Sequence, residues 1–235
     1  MGTLLLIRHG QASYGEVDYD RLSARGREQA AALGRFLAGA RLDAVYAGPL
    51  VRQQQTIAVA AEAAAAAGAA LPAAQTLPEL AEYPAFDMLK HLLPRLVAED
   101  ARFAQLETAP TPRLLDEAFH ALLGRWSRDE WPVAGVERVG DFVQRVRTGL
   151  DRVLRAAGSG ARLACVTSAG PIGVAVGLTF GIPDERMVRT SVVIRNASIT
   201  ELRFRGRDFD WQPDQLSLVT FNLTAHLPPG LDTER

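Results

Sequence analysis

Cysteine is almost missing from this chain of 235 residues: Cys165 is the single one. No intramolecular disulfide can form, which fits a reducing compartment. Leu163-Ala164-Cys165-Val166 reads as a core strand, so a buried free thiol is expected. Charge of one sign is lacking too. Lys and Arg number 26 against 27 Asp and Glu, a formal net charge of −1. That excludes a global basic surface for nucleic acid, and any anion site must be local. The first apolar stretch, Leu4 to Ile7, is four residues long and ends at Arg8. It is too short for a signal peptide or a membrane span. Met1-Gly2 begins like a myristoylation signal, but Leu6 stands where Ser or Thr is needed. The expectation is a soluble cytoplasmic protein with no membrane partner. No internal repeat and no cluster with metal-ligand spacing is visible, so neither metal nor cofactor is expected.

What is present is enough apolar residue, 48%, to bury a large core as a single domain over residues 1–235. Strands and helices alternate. Leu4-Leu5-Leu6-Ile7 reads as a buried strand ending in Arg8-His9-Gly10. A polar loop over residues 11–21 follows, with Gly15, three acids (Glu16, Asp18, Asp20) and Arg21. It is either a mobile cover over the strand end or a connector. Ser23 is the expected N-cap of the first helix, Leu22 a hydrophobic staple, and Ala30, Leu33, Phe36 and Leu37 its apolar stripe. Leu42–Ala47 is the second predicted strand. Pro49 suits the first turn of a helix running through Arg52 and Thr56 to about Ala67. A short strand is predicted near Ala73–Leu77.

Residues 78–136 differ in texture. Prolines punctuate helical stretches at Ala85–Glu99 and Pro112–Arg128, with no β-alternation. Residues 83–136 are therefore predicted to be a helical insertion over the site, with Trp126 and Trp131 as packing residues. An amphipathic helix at Arg138–Ala157 returns to the core through Phe142, Val146, Leu150, Val153 and Leu154. A strand at Arg162–Val166 and a buried helix at Ile172–Phe180 come next. Val192–Arg195, Ser198–Phe204 and Leu216–Phe221 read as antiparallel or edge strands. The fold class this implies is a three-layer α/β/α domain with a mostly parallel central sheet and a helical insertion.

Parallel strands bring their carboxyl ends to one sheet edge, where ligands bind. Three such ends carry chemistry: Arg8-His9-Gly10, Gly48 to Arg52, and Thr167-Ser168-Ala169-Gly170. Two open into helices, whose first amides favour an anion. Two arginines, backbone amides and a histidine nucleophile describe a phosphate pocket. Gly10 is expected to let backbone approach the ligand.

Leu6-Ile7-Arg8-His9-Gly10-Gln11-Ala12 resembles the signature of the histidine phosphatase, or phosphoglycerate mutase-like, superfamily. Val45 to Thr56 resembles its second arginine segment and Leu80-Ala81-Glu82 its acid motif. Leu22 to Gly26 and Asn196 to Thr200 are similar to its first helix start and a late strand. The likeness spans residues 3–82 and 138–204. It implies that His9 attacks phosphorus and that Arg8 and Arg52 bind the phosphoryl oxygens. Glu82 would protonate the leaving oxygen and then help water attack. Glu79 is the rival for the acid role. Gln11, Ser168 and Ala169 would complete the phosphate site, with Ser13 as a further lining residue. The implied partner is a small phosphoester; the oligomeric state is left open, a homodimer included.

The departures matter. The superfamily usually has a second histidine where this chain has Ser168, and a glycine where it has Ala169. Ala12 and Gly15 stand where Thr and Asn are common. A hydroxyl can donate one neutral hydrogen bond, so reduced phosphomonoesterase activity is expected rather than none. A phospho-ligand binder on a weakened enzyme fold and a mutase-like phosphotransferase are the alternatives. His91 or His120 could reach the pocket in place of the second histidine; surface or packing roles are the plainer expectation.

Overall fold

The computed structural model describes residues 1–13, 19–205, 209–212 and 214–234. Six strands are described: β1 (Gly2–Arg8), β2 (Ala44–Ala47), β3 (Ala74–Thr76), β4 (Arg162–Thr167), β5 (Ile199–Phe204) and β6 (Leu216–Leu223). The helices are α1 (Ala24–Leu37), α2 (Val51–Ala66), α3 (Ala85–Glu99), α4 (Gln105–Thr108), α5 (Pro112–Ser127), α6 (Val139–Ala156), α7 (Ala169–Phe180) and α8 (Asp184–Thr190). The strands form one sheet in the order β3-β2-β4-β1-β5-β6. β1 to β4 run parallel, and β5 and β6 are antiparallel to their neighbours. The fold is therefore the α/β arrangement expected from the sequence, with the antiparallel tail strands at one side.

The three layers follow from the two-residue period of β1. Leu5 and Ile7 face a core shared with Leu33 and Leu37 of α1 and Ile57 of α2. Leu4 and Leu6 face the opposite core, which gathers Phe142 and Leu150 of α6, Ile172 of α7, and Leu92 and Leu122 of the intervening helices. A strand apolar on both faces has to sit in the middle of a sheet, and β1 lies between β4 and β5. On the first face the α1 and α2 backbones meet closely: a Cβ at Gly34 would fall 2.1 Å from the Ala60 carbonyl oxygen.

Ser23 caps α1 as predicted, accepting from the Gly26 amide at 3.0 Å. Three readings need correction. Val192–Arg195 is not a strand; Ser191–Val193 is a 3-10 turn closed by Ile194 N–H on the Ser191 carbonyl. Its β-branched residues imitate a strand, but the Ser191 hydroxyl donates back to Val188 and continues the helical path. Pro49 lies outside α2, because Leu50 is extended and the helix starts at Val51. Gly10 does not free space for a ligand. A Cβ there would fall 2.5 Å from the Gly26 carbonyl oxygen, and one at Gly26 would fall 2.1 Å from that of Gln11. The two glycines let the start of α1 press against the end of β1.

Candidate active site

The register brings the expected strand ends together: Arg8 pairs with Thr167, and Ala47 with Val166. His9 is held at the end of β1 by its backbone. Its N–H donates to the Thr167 carbonyl at 2.8 Å, and its carbonyl accepts from Ala197 N–H at 3.1 Å. Asn196 Nδ2 adds a bond to the same carbonyl at 3.3 Å. Ala197 takes a left-handed backbone, φ 53°, to make this contact. Such a conformation is uncommon for a residue with a Cβ and marks a turn that its surroundings enforce.

The imidazole has a defined tautomer. Nδ1 lies 2.7 Å from the Gly10 carbonyl oxygen, and a carbonyl only accepts, so Nδ1 carries the hydrogen. Nε2 is left with its lone pair, and Arg52 Nε donates to it at 3.0 Å. Burial pushes His9 well below the ordinary histidine range, and the positive charges of Arg52 and Arg8 push in the same direction. His9 is thus a neutral imidazole with Nε2 turned toward a guanidinium.

Arg52 lies in the first turn of α2. Its Nη1 bonds Asp20 Oδ1 at 2.6 Å, and Asp20 Oδ2 accepts from Val51 N–H at 2.8 Å. The Tyr19 ring lies against the guanidinium, 5.7 Å from its carbon to the ring centroid. Thr56, one turn further along, donates to the Arg52 carbonyl at 2.7 Å and accepts from Gly10 N–H at 3.0 Å. It ties α2 to the turn that follows His9.

Arg8 donates through Nη1 to the carbonyls of Ile194 and Glu234. Its Nε is buried and has no partner among the described residues. Burial lowers its pKa, while the nearby Glu82 carboxyl opposes that change. The segment ending at Glu234 is pinned beside this strand end: Gln29 donates to Leu231 and Thr233, and Thr233 donates to Asn196.

Glu82 meets the first turn of α7. Its Oε1 accepts from the amides of Gly170 at 3.0 Å and Tyr83 at 3.1 Å. Burial raises its carboxyl pKa above the usual range, outweighing Arg52, the two amides and Arg8. The approach to Gly170 requires glycine: a Cβ there would fall 2.1 Å from Glu82 Oε1. Glu79, the rival acid, turns away to pair with Arg152 of α6.

Ser168 is fully buried at the N-cap of α7, and its hydroxyl oxygen accepts from Gln53 Nε2 at 2.8 Å. Gln53 also bonds the Leu80 carbonyl, which takes a further bond from Thr167 Oγ1 at 2.7 Å. Ala169 opens α7 beside it. Gln11 lies at the same edge, its side-chain oxygen accepting from the Ser23 hydroxyl at 2.9 Å. Ser13 is buried nearby, its N–H on the Arg21 carbonyl. His120 sits on the surface over the Asp116 carbonyl, and His91 packs by Gly135. The expectation that Gly15, Glu16 and Asp18 form a loop over the site lies outside the described residues. Sequence reasoning missed Gln53, Thr56, Asn196 and the role of Asp20. Among the described residues no group of His, Cys, Asp or Glu could hold a metal ion, and no helix is long and apolar enough to cross a membrane.

The sequence model of the histidine phosphatase superfamily (branch 1) matches residues 4–95 and 99–213. No curated protein sequence matches. Solved structures do. YhfR of Bacillus stearothermophilus superposes with a TM-score of 0.68 at 18% identity, over 97% of this chain and 100% of that one. A mycobacterial glucosyl-3-phosphoglycerate phosphatase superposes at 0.65 with 21% identity, over 96% and 100%. A phosphoserine phosphatase of Entamoeba histolytica, complexed with 3-phosphoglyceric acid, gives 0.63 with 18% identity, over 97% and 100%. At these identities the structural likeness concerns the fold.

Proposed function

The chain belongs to the histidine phosphatase superfamily, and on that premise we propose that it is a phosphomonoester hydrolase working through a phosphohistidine at His9. The observation that carries this reading is the tautomer. A buried, neutral imidazole with Nε2 turned toward Arg52 is a nucleophile beside the group that would hold its target.

In the first step the Nε2 lone pair forms a bond to phosphorus as the bond to the ester oxygen breaks. Glu82, whose carboxyl is kept protonated longer by burial, gives that oxygen its proton. In the second step water attacks phosphorus and surrenders a proton to the Glu82 carboxylate. The bond to Nε2 breaks and inorganic phosphate leaves. The equatorial oxygens gain charge during both transfers. Arg52, Arg8 through its buried Nε, and the first amides of α7 at Ala169 are the groups that offset it. Arg52 must release Nε2 as phosphate enters, so its guanidinium passes from the nucleophile to the substrate.

The proposed substrate is a small phosphoester, consistent with the activities named for the glucosyl-3-phosphoglycerate and phosphoserine phosphatases. Residues 83–136 act in this reading as a helical cap within the single domain. Tyr83, beside Glu82, packs on Phe119, Trp126 and Phe142, and Phe86 touches Tyr19. The buried free Cys165 agrees with a cytoplasmic setting.

Ser168 favours a second reading, a phospho-ligand binder with little turnover. Where the superfamily's second histidine would add a positive donor, this chain offers a neutral hydroxyl held by Gln53. Hydrolysis of an aryl phosphate by wild type but not by His9→Ala supports the enzyme. Inertness toward sugar phosphates, phosphoglycerates, nucleotides and phosphoamino acids, with inorganic phosphate still bound, supports the binder.

A further inference from the structure

We propose that Asp20 is a positioning residue for phosphoryl transfer, holding one end of Arg52 so that the opposite edge of the guanidinium faces His9; the inference rests on the phosphatase reading above. A guanidinium presents Nε–H and one Nη2–H as a parallel fork, and that fork matches two oxygens of a phosphoryl group. Nη1 stands outside it. In this structure Asp20 takes Nη1, at 2.6 Å, while Nε is the atom that meets His9 Nε2, at 3.0 Å. The edge suited to bidentate phosphate binding is thus turned toward the nucleophile, and the carboxylate sits away from it.

Asp20 is itself fixed. Its second oxygen accepts the Val51 amide at 2.8 Å, so it caps α2, the helix that carries Arg52. One carboxylate thereby sets both the start of the helix and the orientation of the side chain next along it. The guanidinium face is restrained as well, by the Tyr19 ring at 5.7 Å. Tyr19 in turn meets Phe86 of α3 edge-on, with centroids 5.3 Å apart and planes at 80°. The plane and the far end of Arg52 are therefore both set, and rotation of the fork away from His9 is opposed. The competing account is that Asp20 acts as an internal anion that phosphate must displace. The two accounts predict opposite signs for the same substitution.

Asp20→Asn is the test. Asparagine keeps an oxygen for the Val51 amide, so α2 stays capped and the thermal midpoint should not fall. Wild type, Asp20→Asn, Asp20→Glu, Arg52→Ala and the double variant Asp20→Asn/Arg52→Ala are assayed with p-nitrophenyl phosphate, and inorganic phosphate binding is measured by calorimetry. Asp20→Asn should lower kcat/KM by about 10- to 100-fold, mostly in kcat, and weaken phosphate binding. In the Arg52→Ala background the same change should cost nothing further, because its effect passes through Arg52. Asp20→Glu should recover part of the loss. Tighter phosphate binding by Asp20→Asn, unchanged kinetics, or an equal loss without Arg52 would each overturn the proposal. Should the wild type bind phosphate without hydrolysing any ester, the phosphatase reading fails, and the calorimetry alone still decides the role of Asp20.

Discussion

Arg52 Nε donates to His9 Nε2 across 3.0 Å. A cation rests on the lone pair that the proposed reaction needs. It lowers the histidine's affinity for a proton while leaving it available to an electrophile that carries its own negative charge. Free His9 should consequently behave as a base far weaker than ordinary histidine.

The pH dependence of kcat/KM reads this directly. The acid limb belongs to His9 and should lie well below 6.5, the usual histidine value. Folding shows the same group from another side. The native pKa is depressed, so the unfolded chain binds the extra proton first. The stability due to neutral His9 is complete above 6.5 and is lost as pH falls through the native value. The difference in urea stability between wild type and His9→Gln should be constant above 6.5 and change with pH only in that acid range. An acid limb centred at 6.5 or higher would show that His9 is not shielded.

Glu82 titrates in the opposite sense. Its raised pKa keeps the acid form to higher pH than a surface glutamate, and proton donation fades as pH rises through that value. Alkyl phosphates should lose rate toward alkaline pH, while p-nitrophenyl phosphate, whose leaving group needs no proton, should not. Glu82→Gln should slow the alkyl esters by about 10²–10⁴-fold and the aryl ester far less. Equal slowing of both would assign Glu82 a structural role.

Gly170→Ala isolates the carboxyl's position. The new methyl would fall 2.1 Å from Glu82 Oε1 and 2.6 Å from the Tyr83 ring, so the carboxyl must move. Turnover of poor leaving groups should drop as in Glu82→Gln. The cost in stability should be about 1–3 kcal/mol, that of overpacking a tight site. Full activity would mean that the Gly170 amide is not what holds Glu82.

Ser168→Ala removes one neutral acceptor from Gln53 Nε2, which keeps the Leu80 carbonyl at 3.2 Å. A loss of about 0.5–1.5 kcal/mol in stability and a modest fall in rate are expected. Ser168→His should tighten vanadate binding below pH 6.5 or so, where an imidazole is charged, provided Gln53 is shortened to Ala to admit the ring. Complete inactivation by Ser168→Ala would give the serine a catalytic role of its own.

Much of this site could be read before the fold was seen, for a physical reason. His9, Arg52 and Ser168 each stand just beyond a strand or at a helix start, and parallel pairing carries such ends to one edge. Glu82, in the connection between the 3-10 turn Pro78–Leu80 and α3, was legible only through the family resemblance. Asp20, Gln53 and Asn196 were not legible, because their partners lie far along the chain and only packing sets the distance. Asp20 looked like one acid among several in a polar loop. Gly10 was assigned to a ligand because the facing Gly26 lies 16 residues away. Val192 and Val193 read as a strand since β-branched residues carry the same apolar signal in a turn.

Cys165 gives the molecule an internal clock. Its thiol is fully buried in β4, which is paired on both sides, and burial pushes its pKa far above the thiol range. A maleimide or disulfide reagent therefore has nothing to react with until the centre of the sheet opens. The chain has one such thiol, so each modification event counts one opening, without engineered labels. Labelling with and without inorganic phosphate would time how strongly an anion at the sheet edge holds the middle of the sheet closed.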